Sequence, residues 1–535
     1  MSQRFLNSLC AISLGFVLLS IMAGCPKKQD NVDSRSEFWR SVEPGATFTL
    51  LVVGDAEVAK KIRQVVGTWE DLTQATLTVE ETTVEALLAD SKKPTADAVI
   101  CPIELQATLV KFGYPTKITS DMHHAGGELW DDLLETYRTK LSRFGPETMF
   151  VPMGAQFFVC YYRADLLQQI KESPPESWAD YERLRVKLQE LGDGRENWTG
   201  ALEPTVPGSA GYAFLARAAS YATHRDYFST LFDVKTMAPL IATEPFLRAL
   251  TEMQAANPPG MPRYSIDEVR RAFWQRETAM AVAWPTAAGT STVIIPSSTG
   301  QAATMQASIV QLAVVQAAAM QDAVVQAATM QATVVQVATV QIATDLWMAK
   351  FKAGIAMIPG STQAFNPEKR IWDDRRSGEP TNIPTLVTGH VGLVSAETSN
   401  QVGMFKLLLW LSGNEWGTEV FASSPQSGIG RKSGIEQISH WVEKEAMSEH
   451  DMRLQYVSRL KKHWTANEVF VVPSLPGYAE YMAALDREVC QVLDGHKEPQ
   501  AALDEVARQW EAITTQYGLE TQRRLYRQCC GLVAD

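Results

Sequence analysis

The chain has 535 residues, of which 45% are hydrophobic, and its 49 Lys and Arg against 61 Asp and Glu give a net charge of −12. This length exceeds one ordinary hydrophobic core and predicts two or three domains. The acidic balance argues against nucleic-acid binding, which depends on Lys and Arg to neutralise phosphates.

The N-terminus has the pattern of a bacterial secretory signal. Arg4 is the only charge before the apolar run Leu9–Met22, and two small residues then precede Cys25. The run is shorter than the ~20 residues that a spanning helix needs. A cysteine at this place resembles a lipobox, in which the thiol is acylated and the chain is cut before it. We therefore expect residues 1–24 to be removed and Cys25 to anchor the body on the periplasmic side of the membrane. An uncleaved anchor and an ordinary signal are the alternatives.

The next residues predict a tether followed by an α/β unit. Residues 25–45 are polar and read as the tether. Phe48–Val53 is an apolar run typical of a buried strand, and apolar residues then follow helical spacing to Trp69. Thr76–Val79 and Ala96–Cys101 are further predicted strands, separated by a helical stretch. Alternating strands and helices indicate a parallel sheet in an α/β layer.

A second unit begins at Met149–Tyr162. Ser177 is a predicted N-cap, because an apolar helical face starts at the next residue. Residues 205–283 are predicted to be mainly helical, whereas Ile355–Ile358 and His390–Val394 are predicted strands. The chain after these strands is predicted to be helical almost to its end.

One segment departs from this pattern. From Gln301 to Asp345 a glutamine recurs every five residues, separated almost only by Ala, Val, Thr, Met or Ile. Five residues advance a helix by ~500°, so the glutamines spiral around it. On a strand they alternate between the two faces. We interpret the segment as an insertion without a function of its own, with a partner surface as the alternative.

Signals for catalysis and metal binding are missing from the sequence. It has no His-Glu-x-x-His, Gly-x-Ser-x-Gly, Gly-x-Gly-x-x-Gly or Walker motif. The five cysteines beyond Cys10 and Cys25 have no Cys-x-x-Cys spacing, which argues against a zinc cluster. We therefore predict no metal, no cofactor and no catalytic residues.

The aromatic content gives a positive signal. Several of the 14 tryptophans stand beside turn residues, and Trp284 follows the apolar run Ala279–Ala283 and precedes Pro285. Aromatic rings at strand ends are typical of sugar recognition, because a ring stacks on the apolar face of a pyranose while carboxylates or amides bind the hydroxyls. For each tryptophan a place in the core is the alternative.

Several segments resemble family 1 extracellular solute-binding proteins, the family of maltose-binding protein. They occur in the family's order between residues 46 and 515 and are similar to its patterns YN-x-DL, PPxTW-x-E, F-x-x-GE-x-AM and GIAPLPG. The segments are Phe150–Met153, Cys160–Leu167, Pro174–Tyr181, Phe273–Val282, Gly354–Gly360 and Gly477–Trp510. The chain departs from the family in its glutamine repeat, in Glu277-Thr278 where Gly-Glu is expected, and in its cysteine-containing tail.

The resemblance implies an α/β, two-lobed periplasmic binding protein fold of type II, with the lobes joined by crossing hinge strands. We predict that lobe 1 comprises residues 46–148 and 284–386, including the insertion 301–345. Lobe 2 would then comprise residues 149–283 and 387–515, and residues 516–535 would be a tail.

The resemblance also implies a function. We expect a monomeric substrate-binding lipoprotein of an ABC importer, which binds a carbohydrate between its lobes, delivers it to a membrane permease and catalyses no reaction. Family positions suggest Glu104 and Glu203 as polar contacts, Trp284 and Tyr478 as stacking aromatics, and Tyr212 as a weaker candidate together with Gly389 and His390. One alternative is a lipoprotein glycoside hydrolase that uses Glu104 and Glu203 as its acids. Another is a scaffold or sensory lipoprotein whose insertion recruits a partner.

Overall fold

The computed structural model describes residues 37–191, 198–227, 229–285, 352–435, 437, 454–455, 457–459, 461–462, 468–472 and 474–533, without the side chains of residues 386 and 387. The predicted signal, Cys25 and the glutamine repeat lie outside these residues. Within the described ranges, no helix combines the length and the apolar character needed to cross a membrane.

The described chain contains both strands and helices, which alternate at its start and then occur in groups. The strands are β1 (Thr47–Val53), β2 (Thr76–Thr82), β3 (Ala98–Pro102), β4 (Arg143–Phe144), β5 (Glu147–Thr148), β6 (Val151–Phe157), β7 (Val159–Arg163), β8 (Met280–Ala283), β9 (Ala353–Met357), β10 (Gln363–Asn366), β11 (Ile371–Asp374), β12 (Thr385–Val394) and β13 (Phe470–Val471). The helices are α1 (Ala56–Thr73), α2 (Val84–Asp90), α3 (Gln106–Lys111), α4 (Ser120–Asp131), α5 (Glu135–Lys140), α6 (Ala164–Gln169), α7 (Trp178–Glu190), α8 (Ala210–Ala222), α9 (Glu244–Ala256), α10 (Ile266–Trp274), α11 (Gln401–Leu411), α12 (Gly417–Phe421), α13 (Tyr478–Leu493), α14 (Pro499–Tyr517) and α15 (Leu519–Cys529).

The first lobe is built on a six-stranded sheet with the order β13-β12-β3-β1-β2, in which β6 also pairs with β12. Strands β1, β2 and β3 are parallel, as the sequence predicts. The apolar runs of β1 and β3 form strands because they lie in the covered middle of the sheet: all of β3 is buried, and α1 packs on β1 and β2. Helices α11 and α12 also belong to this lobe, since they pack on β12, β6 and α1.

The second lobe is built on a three-stranded sheet with the order β8-β7-β9. Helix α10 packs on β8 and helix α6 on β9, while helices α8, α9, α13 and α14 of this lobe pack on one another. Helix α7 begins as predicted, because the Ser177 hydroxyl accepts the backbone N–H of Asp180 and the Asp180 carboxylate accepts that of Ser177. Phe158, between β6 and β7, carries the chain from the first sheet to the second.

The strand pairing corrects the predicted division into lobes. Residues 284–386 were predicted to lie in lobe 1, yet β9 pairs with β7 in the second sheet. Residues 387–515 were predicted to lie in lobe 2, yet β12 pairs with β3 and β6 in the first sheet. In the order of the chain, the predicted insertion 301–345 therefore lies between β8 and β9, two strands of the second sheet. The sequence identifies these buried strands but not their partners, because an apolar run fits either sheet equally well.

Two further expectations change. The predicted tether 25–45 ends earlier, because Trp39 and Val42 are buried and the Trp39 ring packs edge-on against Trp69 and Trp410 of the first lobe. The predicted tail 516–535 contains helix α15, which is packed on the body. Its face was missed because few of its residues are apolar.

Candidate functional site

Glu104 follows β3, in a single 3-10 turn (Ile103–Leu105) at the carboxyl end of the first sheet. The residue is half-buried, but its Oε2 atom is buried and has no hydrogen-bond partner among the described residues. Burial raises the pKa of Glu104 to about 7, although a hydrogen bond from its own backbone and one from Thr388 act in the opposite direction. A buried carboxyl oxygen without a hydrogen-bond partner costs free energy, so Glu104 is stabilised when a further donor bonds to it.

Two tyrosines of the second lobe lie close to Glu104. Tyr212 is in the first turn of α8, Tyr478 is the first residue of α13, and the Tyr478 hydroxyl donates to the Tyr212 hydroxyl over 3.5 Å. Burial and then the negative charge of Glu104 raise the pKa of Tyr212 to about 12. Burial, Tyr212 and Glu104 raise the pKa of Tyr478 as well. The structure therefore brings three of the predicted residues together from both lobes.

Trp284 lies at the crossing between the lobes. Because Ala283 pairs with Val159, Trp284 stands beside Phe158, and their ring centroids are 6.0 Å apart. The indole is half-buried and its Nε1 has no hydrogen-bond partner among the described residues. An apolar ring with a free donor at the hinge is suited to stack on a solute while donating one hydrogen bond.

Glu203 is placed elsewhere. Its carboxylate accepts a 2.6 Å hydrogen bond from Arg217, and both side chains are inside the second lobe with 3% exposure. Within the described contacts, nothing joins Glu203 to Glu104 or to the tyrosines. Glu203 therefore holds the lobe together in this structure, and a ligand would have to displace Arg217 to reach it.

His390 is likewise buried in a network inside the first lobe. Its Nδ1 lies 2.7 Å from the Ser427 hydroxyl and its Nε2 lies 3.3 Å from Asp55. Burial acts to raise the pKa of Asp55, but the His390 imidazole, the Ser424 hydroxyl and the backbone N–H of Val58 together lower it. These contacts connect β12 to the start of α1 and to the loop after α12.

Thr388 and Phe158 are the residues of this region that the sequence does not reveal. Thr388 bonds to Glu104, and Phe158 supports Trp284. A threonine in a strand and a phenylalanine in an apolar run have no distinctive pattern. For Thr388, the one available signal was its position beside the predicted boundary between residues 386 and 387. Among the described residues, no group of three or more His, Cys, Asp or Glu is arranged to hold a metal ion.

Solved structures share the two-lobed α/β architecture described above. A solute-binding protein of an ABC transporter from Agrobacterium radiobacter K84, in complex with ribitol, has 18% identity and a TM-score of 0.54, with 88% of this chain and 99% of that chain covered. The maltose-bound MalE3 of T. maritima has 13% identity and a TM-score of 0.52, with 88% and 100% covered. A solute-binding protein from Agrobacterium vitis S4, with bound D-mannitol, has 14% identity and a TM-score of 0.52, with 89% and 99% covered.

A match of the sequence to a family model identifies the family of this chain. Residues 42–333 match the family model of bacterial extracellular solute-binding proteins. The chain therefore belongs to this family, whose members work outside the cytoplasm, in the periplasm or the extracellular space. Among curated proteins, none matches the chain.

Proposed function

We propose that this protein is the substrate-binding lipoprotein of an ABC importer and that it binds a carbohydrate or polyol between its lobes. The observation that carries the proposal is the convergence of Glu104 with Tyr212 and Tyr478 from the opposite lobe, and Trp284 packs on Phe158, where the chain passes between the lobes. A solute held by groups of both lobes stabilises their approach, and closure of lobes around a ligand is a hinge motion.

The chemistry of these groups suits a polyhydroxylated ligand. Among the described residues, Glu104 Oε2 is a buried acceptor without a donor, and Trp284 Nε1 is a buried donor without an acceptor. A hydroxyl group is both donor and acceptor, so the hydroxyl groups of a polyol suit either atom. Ribitol, maltose and D-mannitol are bound by the three structural neighbours, and this agrees with the same class of ligand here.

Delivery to a membrane permease completes the proposed role, and no reaction is part of it. The hydrolase alternative needs two carboxyl groups on either side of a glycosidic bond. Its second acid, Glu203, is engaged with Arg217. The lipid anchor rests on Arg4, the apolar run Leu9–Met22 and Cys25.

A thermal-shift screen tests the ligand class. The protein is produced from residue 26 to residue 535, because Trp39 and α15 are packed parts of the body. It is screened against alditols, monosaccharides and maltodextrins, with amino acids and polyamines as negative controls. A ligand at 100 times its dissociation constant stabilises the protein by about 2.7 kcal/mol. The proposal fails if only amino acids or polyamines raise the melting temperature, or if no compound does so.

Matched variants locate the site. We expect Trp284→Ala and Glu104→Gln to remove the ligand-induced shift. Trp416→Ala is the control, because Trp416 is also half-buried, with no partner for its Nε1 among the described residues, but packs on Trp410 in the first lobe. Equal loss of the shift in Trp284→Ala and Trp416→Ala would place the ligand elsewhere.

The lipid anchor has its own test. Full-length protein with Cys25 should enter the detergent phase on phase separation and carry acyl chains by mass spectrometry, whereas Cys25→Ser should remain in the aqueous phase. Detergent partitioning of both proteins alike would indicate an uncleaved apolar anchor instead.

A further inference from the structure

The C-terminal helix α15 is fixed to the second lobe by Tyr526. The Tyr526 hydroxyl lies 2.7 Å from the Ser229 hydroxyl and accepts the backbone N–H groups of Leu231 and Phe232 over 3.3 and 3.2 Å. The Tyr526 ring also packs edge-on against Phe232, with 5.3 Å between the centroids. Because the side chain is buried, these bonds hold α15 firmly on this lobe.

The same helix is bonded to the segment that carries the chain from β13 to α13, the last crossing between the lobes. The buried Gln522 donates to the Pro476 carbonyl over 2.7 Å and to the Tyr481 hydroxyl over 3.2 Å. Near the other end of the helix, Cys529 Sγ lies 3.9 Å from the Ser474 hydroxyl. Helix α15 therefore runs beside the hinge and is attached to it.

The end of α15 reaches the first lobe. The backbone N–H of Gly145, in the turn between β4 and β5, donates to the Gln528 carbonyl over 2.8 Å. Gly145 is buried with φ +59°, and a Cβ added to it would lie 3.2 Å from the Leu532 carbonyl oxygen. The turn belongs to the first lobe, because Met149 bonds to Ser142 and the hairpin continues directly into β6.

We propose that α15 is a strap that connects the two lobes across the hinge and restricts their rotation. The last turn of α15 is fixed to the second lobe through Tyr526, and two residues further on the Gln528 carbonyl bonds to Gly145 of the first lobe, so a rotation that moves the lobes apart here must break that bond. Loss of one such bond changes the ratio of two conformations about fivefold. The strap itself does not depend on the proposed function. Only its consequence rests on that function, namely that the strap sets the apparent ligand affinity without contacting the ligand.

Truncation tests the strap on the ligand-free protein, residues 26–535. Ending the chain after Arg527 removes the Gln528 carbonyl and leaves Gln522 and Tyr526 in place. Ending it after Leu532 is the control, since the bond to Gly145 is retained. Tyr526→Phe loosens the attachment of the same turn to the second lobe. Small-angle X-ray scattering reports the relative position of the lobes, and hydrogen exchange of residues 141–149 reports the protection of the Gly145 N–H.

We expect truncation after Arg527 to change the scattering curve and to speed exchange of the Gly145 turn, with Tyr526→Phe changing the scattering in the same sense. The control should behave as the parent protein. Unchanged scattering and exchange after truncation at Arg527, or equal changes in the control, would overturn the proposal.

These measurements contain no ligand, so they decide the strap even if the carbohydrate screen fails. Where the screen gives a ligand, truncation after Arg527 should change its dissociation constant about fivefold and leave the order of preferred ligands unchanged. An altered order of preference would mean that α15 shapes the site itself, which would also overturn the strap.

Discussion

The Arg217 guanidinium donates a 2.6 Å hydrogen bond to Glu203 and lies 3.9 Å above the Trp178 ring. A second carboxylate, that of Glu252, is 3.6 Å from the same guanidinium. Buried ions of opposite charge stabilise a fold only when each keeps its partners. The pair thus connects the segment before α8 to α8 itself and to α9, inside the second lobe.

We expect Glu203→Gln to lower the free energy of unfolding by about 3 kcal/mol, because Arg217 stays buried with only Glu252 as a charged partner. Urea unfolding measures this loss, and titration calorimetry on the folded variant should give an unchanged ligand affinity. Glu182→Gln is the control, since Glu182 pairs with Arg185 at the surface and such a pair contributes at most about 1 kcal/mol. A stable variant that no longer binds ligand would restore Glu203 as a ligand contact.

Glu104 and Glu203 illustrate how far the sequence predicts the site. Each follows an apolar segment, so nothing in the local pattern separates them. Arg217, 14 residues further along the chain, neutralises Glu203. No cation among the described hydrogen bonds and ion pairs reaches Glu104. That difference depends on packing between elements that are distant in the chain, and the pattern of a single sequence does not reveal such packing.

The fold, like the site, is predictable from the sequence only in part. Buried strands such as β1 and β3 are predictable, because short apolar runs bounded by turn residues have few other solutions. The partner of β9 is not, since β7 lies almost 200 residues earlier in the chain. Helix α15 was missed because only Leu519, Leu525 and Tyr526 of its 11 residues are large and apolar.

The pKa of Glu104 predicts a specific dependence of stability on pH. Burial raises it from 4.5 to about 7, so the folded protein favours the protonated acid. The stabilisation is complete below about pH 4.5 and is lost as the pH rises through 7, by roughly 3 kcal/mol in total. The difference in unfolding free energy between the parent and Glu104→Gln should fall by this amount between pH 4.5 and 8 in urea titrations.

Thr388→Val provides the matched control for Glu104. The Thr388 hydroxyl group lowers the pKa of Glu104, so removal of this hydroxyl should move the loss of stability to higher pH. A difference between parent and Glu104→Gln that does not vary with pH would contradict the burial of the acid.

Gly154 of β6 allows a close approach that no other residue permits. A Cβ at this position, where φ is +148°, would lie 2.2 Å from the Gly428 carbonyl oxygen. We expect Gly154→Ala to destabilise the protein by about 3 kcal/mol, because backbone must move on both sides. Gly67→Ala, at an exposed position of α1 with open space around the added atom, should instead stabilise it by about 0.5–1 kcal/mol. Thermal unfolding of the two variants measures the contrast, and similar melting temperatures would refute the close packing of the loop on β6.

The Asp55 carboxylate both caps α1 and contacts His390 and Ser424. Its removal should therefore lower the free energy of unfolding more than the loss of a helix cap alone. It accepts the backbone N–H at the start of α1 over 3.0 Å, and its other oxygen meets His390 at 3.3 Å and the Ser424 hydroxyl at 2.5 Å. We expect Asp55→Ala to lower the unfolding free energy by about 3 kcal/mol, against about 1 kcal/mol for Thr83→Ala, which removes only the cap of α2. Because the folded pKa of Asp55 is lowered, its contribution is present above the usual range of an aspartate and disappears as the pH falls through the folded value, the opposite sense to Glu104. Urea unfolding at pH 7 and pH 3 measures both effects, and equal costs for Asp55→Ala and Thr83→Ala would show that the contact with His390 adds no stability.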